Sequence, residues 1–240
     1  MFFHDPLYLL IMLAGMALVF IPQVWVKKTV ARFSEVRSSH GYSGYQVARE
    51  ILSEHGLSNV SIEMIDGALT DHYDPTQKVV RLSQDIYSGN SVSSVAIAAH
   101  ECGHAIQHAK GYYPVVIRAS LLPVANIGSN LGPTLLMVAV MLGVFRHAAP
   151  GFSLSLAWAG VIFYAMATAF HFVTLPVELD ASGRALKVLE GSHYLERSEL
   201  PGAKKVLTAA ACTYIATALY ALIELLYWVF SLLGNSRRNN

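Results

Sequence analysis

The hydrophobic and polar positions of this chain fall into long blocks. Four stretches, residues 6–26, 119–145, 152–175 and 206–233, are apolar and nearly free of charge. Each exceeds the roughly 20 residues of helix that cross a bilayer. Only the last carries an acid, Glu224, which leaves an interfacial or packed helix as its alternative reading. The first stretch is preceded by His4 and Asp5 rather than a basic cluster, and Lys27 and Lys28 follow it. No small-residue cleavage site closes it, so it is expected to stay as an anchor.

Between these stretches the pattern shortens. Residues 24–39 are expected to carry the first helix into solvent, with Gly41 and Gly44 breaking it. Ser43 to His55 predicts an amphipathic helix capped by Ser43 and stopped at Gly56. Val60–Ile65 alternates like a strand, and Lys78–Leu82 is a second β-prone run. Asp66-Gly67 and Asp74-Pro75 mark turns between them. Ser91–Lys110 then predicts a long, almost wholly apolar helix, so the order is strand, strand, helix. The fold class expected is a mainly α membrane protein. It has about four transmembrane helices and a small α+β region, residues 27–118 and 176–205, holding a small sheet, all within one domain spanning 1–240.

Composition agrees with this pattern. Of 240 residues, 54% are hydrophobic and 14% charged, against about a quarter charged in soluble domains. A formal charge of +1 offers no basic field, which argues against nucleic acid as a partner. Residues 27–118 and 176–205 carry 14 of the 17 Lys and Arg; the others are Arg146, Arg237 and Arg238. The excess of basic residues predicts a cytoplasmic location for these two blocks in a multi-pass protein of the cell membrane. The partner implied is the lipid bilayer. Cys102 and Cys212 lie far apart in apolar helical patterns and read as reduced core residues.

Chemistry concentrates in the apolar helix. His100-Glu101-Cys102-Gly103-His104 is an H-E-x-x-H sequence. On a helix, residues i and i+4 share one face about 6 Å apart, so both imidazoles can reach one cation. Glu101, about 100° round the helix, flanks that cation without ligating it. Three protein ligands on zinc leave a fourth position for water, whose proton Glu101 can take and pass to a leaving amine. The bland alternative is a polar patch on a helix, but two His and a Glu on a buried face need partners. His108, one turn further on, reads as an outer or surface histidine. The third ligand must come from Glu178, Asp180, Glu190, His193, Glu196 or Glu199. Glu178 stands out because it opens a helix-like run directly after the third apolar stretch. Against it stands the plain preference of acids for helix N-termini.

Three segments, AAHECGHAIQ (98–107), LTDHYDP (69–75) and LPVELDAS (175–182), together resemble the YugP-type neutral zinc metallopeptidases of bacterial membranes. More distantly the layout is similar to the HtpX-type and CAAX prenyl gluzincin proteases. The resemblance covers nearly the whole chain and implies a zincin-like catalytic region with one zinc held by His100, His104 and Glu178, and Glu101 as the base. It also implies that a strand before the catalytic helix, Leu69–Tyr73 or Lys78–Leu82, pairs with an extended substrate. His72, Tyr73 and His193 are candidate donors to the oxyanion, weighed against plain roles in a hydrogen-bonded turn or at the surface. The chain departs from the E-x-x-x-D pattern of the distant relatives, where the acid becomes Ser182. Asp180 is nearby but in a different register.

Glu178 lies three residues past the apolar stretch, so substrates are expected to be membrane-associated proteins or peptides. Two other readings remain. One is a zinc-binding membrane scaffold, which would tolerate loss of Glu101; the other is a hydrolase of lipids or prenylated proteins. A transporter is disfavoured because the acids and histidines cluster outside the apolar stretches.

Overall fold

The computed structural model describes residues 6–142 and 150–238. Residues 143–145, the expected end of the second apolar stretch, and Arg146 lie outside the described residues, as do the side chains of Arg237 and Arg238. In chain order the elements are α1 (Pro6–Ser34), α2 (Gly44–Glu54), β1 (Ser61–Ile65), β2 (His72–Asp74), β3 (Val79–Ser83), α3 (Gln84–Ser88), α4 (Val92–Ala109), α5 (Tyr113–Met141), α6 (Pro150–Gly191) and α7 (Leu200–Arg238). The protein is thus mostly helical with one small three-stranded sheet. Helices α1, α5, α6 and α7 are each long and apolar enough to cross a bilayer.

The described chain divides into two compact units. One takes in residues up to Phe20, Val116–Leu175 and the chain from Tyr214. There α5 and α6 approach through glycine: a Cβ at Gly128 would lie 2.3 Å from the Phe163 carbonyl oxygen, and one at Gly132 would lie 2.9 Å from the Tyr164 nitrogen. Small residues at such crossings let apolar helices gain dispersion contacts without a water-driven force. Leu136, Val161, Tyr227, Trp228 and Leu232 form the buried core. Leu10, Leu13, Phe20, Met137, Ile162 and Phe230 point outward.

The second unit, Ile21–Val115 with Pro176–Thr213, holds the sheet. Strand order is β1-β3-β2, with β1 parallel and β2 antiparallel to the central β3. β3 is buried at four of its five positions, whereas β1 and β2 are edges. Val47, Ile51, Leu52, Val80, Leu82, Val95, Ala99, Cys102, Ile106 and Leu189 close one core between α2, the sheet, α4 and α6. The caps of α2 follow the sequence. Ser43 and Gln46 form a reciprocal capping box, and Gly56 takes a positive φ of 71° past the helix end. α4 begins at its Ser91 cap and ends before Gly111, at φ 60°. Cys102 and Cys212 are free thiols.

Three expectations are corrected. α1 stops at Ser34 rather than near Ser39 because the next backbone groups pair elsewhere. Ser38 N–H donates to Asn90 O and Val92 N–H to Val36 O, both at 2.9 Å. The second of these satisfies one of the orphan donors at the start of α4. Among the described residues the strands number three, not the two that alternation suggested: His72–Asp74 carries no alternation, and it overlaps the segment Leu69–Tyr73 that only the family resemblance offered as a strand. The short α3 separates sheet from α4 and was not expected.

Candidate metal centre

The apolar residues around the H-E-x-x-H sequence make α4 the buried centre of its unit, with 13 of its 18 residues buried. On it His100 and His104 stack as neighbours, ring centroids 4.7 Å apart and nearly perpendicular. Glu178 reaches them from α6, brought close by Gly103. A Cβ there would lie 2.7 Å from the Ala181 carbonyl oxygen, so only glycine lets the two backbones meet. Glu178 is 3% exposed, and the two histidine side chains 13% and 15%.

The distances fit a metal better than a hydrogen bond. Glu178 Oε2 stands 3.4 Å from Nε2 of His100 and 3.4 Å from Nε2 of His104. Charge-assisted N–H···O bonds are about 2.7–2.9 Å. Two donors each about 2.0–2.1 Å from a tetrahedral zinc stand about 3.3–3.4 Å apart. Among the described residues these three form the group of His, Cys, Asp and Glu that could hold a metal ion, with one ligand atom each within 4.8 Å of the others. Two nitrogens and one carboxylate oxygen suit zinc and leave a coordination position open.

Electrostatics point the same way. Burial works against charge on His104, but Glu178, Glu101 and Gln107 outweigh it and raise its pKa, so the site favours positive charge. Glu101 is 6% exposed. Burial raises its pKa; His100 and His104 lower it, and Glu178 and Asp71 raise it further.

Other groups orient the two histidines from behind. Ser182 Oγ lies 3.2 Å from His100 Nδ1, and Gln107 Oε1 lies 3.0 Å from His104 Nδ1. Asp180 meets Gln107 rather than either histidine. The pattern of apolar positions gave Gln107 no functional weight, although it closes the segment AAHECGHAIQ. Asp71 is a second omission. It accepts from Ser83 N–H at 2.7 Å and from the Ser83 hydroxyl at 3.0 Å, which pins the loop before β2 to the end of β3.

The oxyanion candidates have other partners. His72, on β2, has Nδ1 2.7 Å from the Thr70 carbonyl. The Tyr73 hydroxyl meets His108 Nδ1 at 2.9 Å, tying β2 to α4 and giving His108 an anchoring role. His193 Nε2 meets the Tyr42 hydroxyl at 2.9 Å and lies 3.8 Å from Glu50.

Comparison with known proteins adds an independent line. The sequence profile of the family described as "Putative neutral zinc metallopeptidase" matches residues 8–233. A protein of Bacillus subtilis (strain 168), named "Putative membrane protease YugP", is 41% identical over 233 residues, covering 97% of this chain and 100% of that relative. No solved structure matches. With the match running over nearly the full length, the chain belongs to the YugP-type neutral zinc metallopeptidase family.

Proposed function

We propose that this protein is a zinc-dependent endopeptidase of the cell membrane, of gluzincin type, with one zinc per chain and with His100, His104 and Glu178 as ligands. The observation that carries the reading is the convergence of these three donors at a spacing suited to a tetrahedral cation, with Glu101 buried beside them. When bound, zinc supplies Lewis acidity that lowers the pKa of a coordinated water towards about 7. Glu101 accepts the proton of the attacking water and returns it to the leaving amine. Its burial raises its pKa, which moves it towards the range where one carboxyl can serve as both base and acid.

The edge strand β2 offers main-chain groups to an extended peptide. His72 and Tyr73 on that strand, with His193, are the candidate oxyanion donors. The long helices α1, α5, α6 and α7 span the membrane, as the outward Leu10, Leu13, Phe20 and Phe230 favour. The excess of Lys and Arg in residues 27–118 and 176–205 puts the centre on the cytoplasmic side, where membrane-associated proteins are the substrates.

The test is cleavage of an unfolded model protein and of a membrane-protein mixture by the detergent-purified chain, with zinc, with a chelator, and with Glu101→Gln. Cleavage that requires zinc and disappears in Glu101→Gln, while zinc stays bound, supports the reading. A variant that keeps full activity removes Glu101 from the mechanism. A chain that binds one zinc yet cuts no protein moves the function to a scaffold or to lipid and prenyl-protein hydrolysis.

A further inference from the structure

Resting on the zinc-site reading above, we propose that Gln107 is a positioning residue for His104, itself clamped by Asp180 and Arg184. Gln107 has no exposed surface, yet its amide is fully engaged. Its Nε2 donates to the Val177 carbonyl and to Asp180 Oδ2, both at 2.7 Å. Both of these groups only accept, so the two amide hydrogens are spent and the orientation of the amide is fixed. Its Oε1 therefore faces His104 Nδ1 at 3.0 Å. An amide oxygen cannot donate, so the bond requires the proton on Nδ1. The Nε2 lone pair of His104 is then directed to the side where Glu178 stands. The tautomer that a metal needs is thus selected by the other ring nitrogen's partner.

The clamp continues outward. Asp180 receives the Nε of Arg184, one helical turn along α6, and an Nη at 3.3 Å. The guanidinium carbon in turn lies 5.6 Å from the centre of the Tyr112 ring, just past the end of α4. The guanidinium holds Asp180 facing Gln107, and its own position is fixed between α6 and Tyr112. His100 has a simpler support, the single hydroxyl of Ser182 at 3.2 Å. A hydroxyl rotates and can donate or accept, so it selects a tautomer less strictly than Gln107 does. The two histidine ligands are therefore unequally held: His104 is rigid and His100 is the adaptable one.

The experiment uses the full chain in detergent. Zinc affinity is measured by competition with a chromophoric chelator, and the cobalt(II)-loaded protein is examined by visible absorption. Thermal unfolding serves as the fold control. Gln107→Met, of similar volume, is expected to weaken zinc binding by about 10- to 100-fold, the usual cost of losing an outer partner of a metal ligand, and to alter the cobalt bands. Asp180→Asn keeps an acceptor for Gln107 and loses the charge, so a smaller loss of the same kind is expected. Ser182→Ala should weaken zinc less than Gln107→Met does.

Gln107→Met with wild-type zinc affinity and an unchanged cobalt spectrum overturns the proposal, whatever its melting temperature. Should that variant fail to fold, wild-type affinity and spectrum in Asp180→Asn overturn it equally. A larger loss in Ser182→Ala than in Gln107→Met overturns the asymmetry. A wild-type chain that binds neither zinc nor cobalt rejects the metal site itself, which separates the two failures.

Discussion

Glu178 and Glu224 are both acids on long apolar helices, and their surroundings make them opposites. Glu178, on α6, faces two imidazoles at 3.4 Å, a spacing that leaves room for an ion between them. Glu224, on α7 in the other unit, receives the Tyr164 hydroxyl at 2.8 Å, and Tyr220 is a second phenol turned towards it. A carboxylate met by hydroxyl donors closes on itself and holds α6 to α7. A carboxylate oxygen that stands 3.4 Å from two imidazole nitrogens forms a socket. Burial alone does not mark a functional acid; the distance and kind of its partners do.

The largest effect that separates the two acids is on metal binding. Glu178→Ala is expected to lower zinc affinity by more than the roughly 10- to 100-fold that outer partners cost, and to abolish peptide cleavage. Glu224→Ala should leave zinc stoichiometry at one per chain. Zinc competition and metal content on both purified variants check this. Equal zinc losses in the two variants would break the distinction between socket and clasp.

The second effect concerns how the socket is assembled. Gly103→Ala places a methyl 2.7 Å from the Ala181 carbonyl oxygen and within 3.3 Å of two more backbone atoms. Backbone on both sides cannot yield as a side-chain tip would, so α4 and α6 must part where Glu178 meets the histidines. Overpacking of this kind costs about 1–3 kcal/mol. Thermal unfolding should show that loss together with weaker zinc binding. A Gly103→Ala protein of full stability and zinc affinity would mean that the close approach has no part in forming the site.

A smaller effect is expected at the clasp. Glu224→Leu leaves the Tyr164 hydroxyl, and Tyr220 beside it, without their acceptor. A half-buried hydroxyl that loses its partner costs about 1–3 kcal/mol. The variant should melt earlier in detergent, with zinc affinity unchanged. Stability equal to the wild type would reduce the Glu224 contact to an incidental one.

Much of the socket was readable from residue order, and little of its support was. The i, i+4 spacing of His100 and His104 follows from helical geometry, and the buried run around them makes the helix itself legible. The caps at Ser43 and Ser91 and the stops at Gly56 and Gly111 are local chemistry and fall where the residues suggest. Glu178 is 74 positions from His104, so nothing local connects them; its place after an apolar stretch and the resemblance of LPVELDAS singled it out. Ser182 against His100 follows from helical spacing, since it lies one turn from Glu178. Gln107 was illegible because a glutamine beside a histidine on a helix has no distinctive pattern. Its role depends on Asp180, which reaches it only once α6 has packed on α4. β2 was hidden from the residue pattern for a similar reason, and only the resemblance offered a strand at Leu69–Tyr73: His72–Asp74 becomes a strand because β3 offers an edge.

Asp71 is a partly buried acid and an intermediate case, with hydrogen bonds from Ser83 like those of the clasp and a place near Glu101 like that of the socket. Burial raises its pKa, and the Ser83 donors and His72 offset this only in part. With the folded pKa above the ordinary carboxylate value, the native state holds the proton more tightly than the unfolded chain. Its contribution to stability is therefore full at low pH and is lost as pH rises through the folded pKa. Asn at this position keeps an acceptor for Ser83 N–H and does not titrate. Asp71→Asn is thus expected to be as stable as the wild type or up to about 1 kcal/mol more so at neutral pH. That advantage should shrink as pH falls below the raised pKa. Melting temperatures of both proteins from pH 4 to 8 give the sign directly. An Asn variant that is less stable at pH 7 and recovers at pH 4 would show that the Ser83 bonds outweigh burial, and would group Asp71 with Glu224 rather than with the acids of the site.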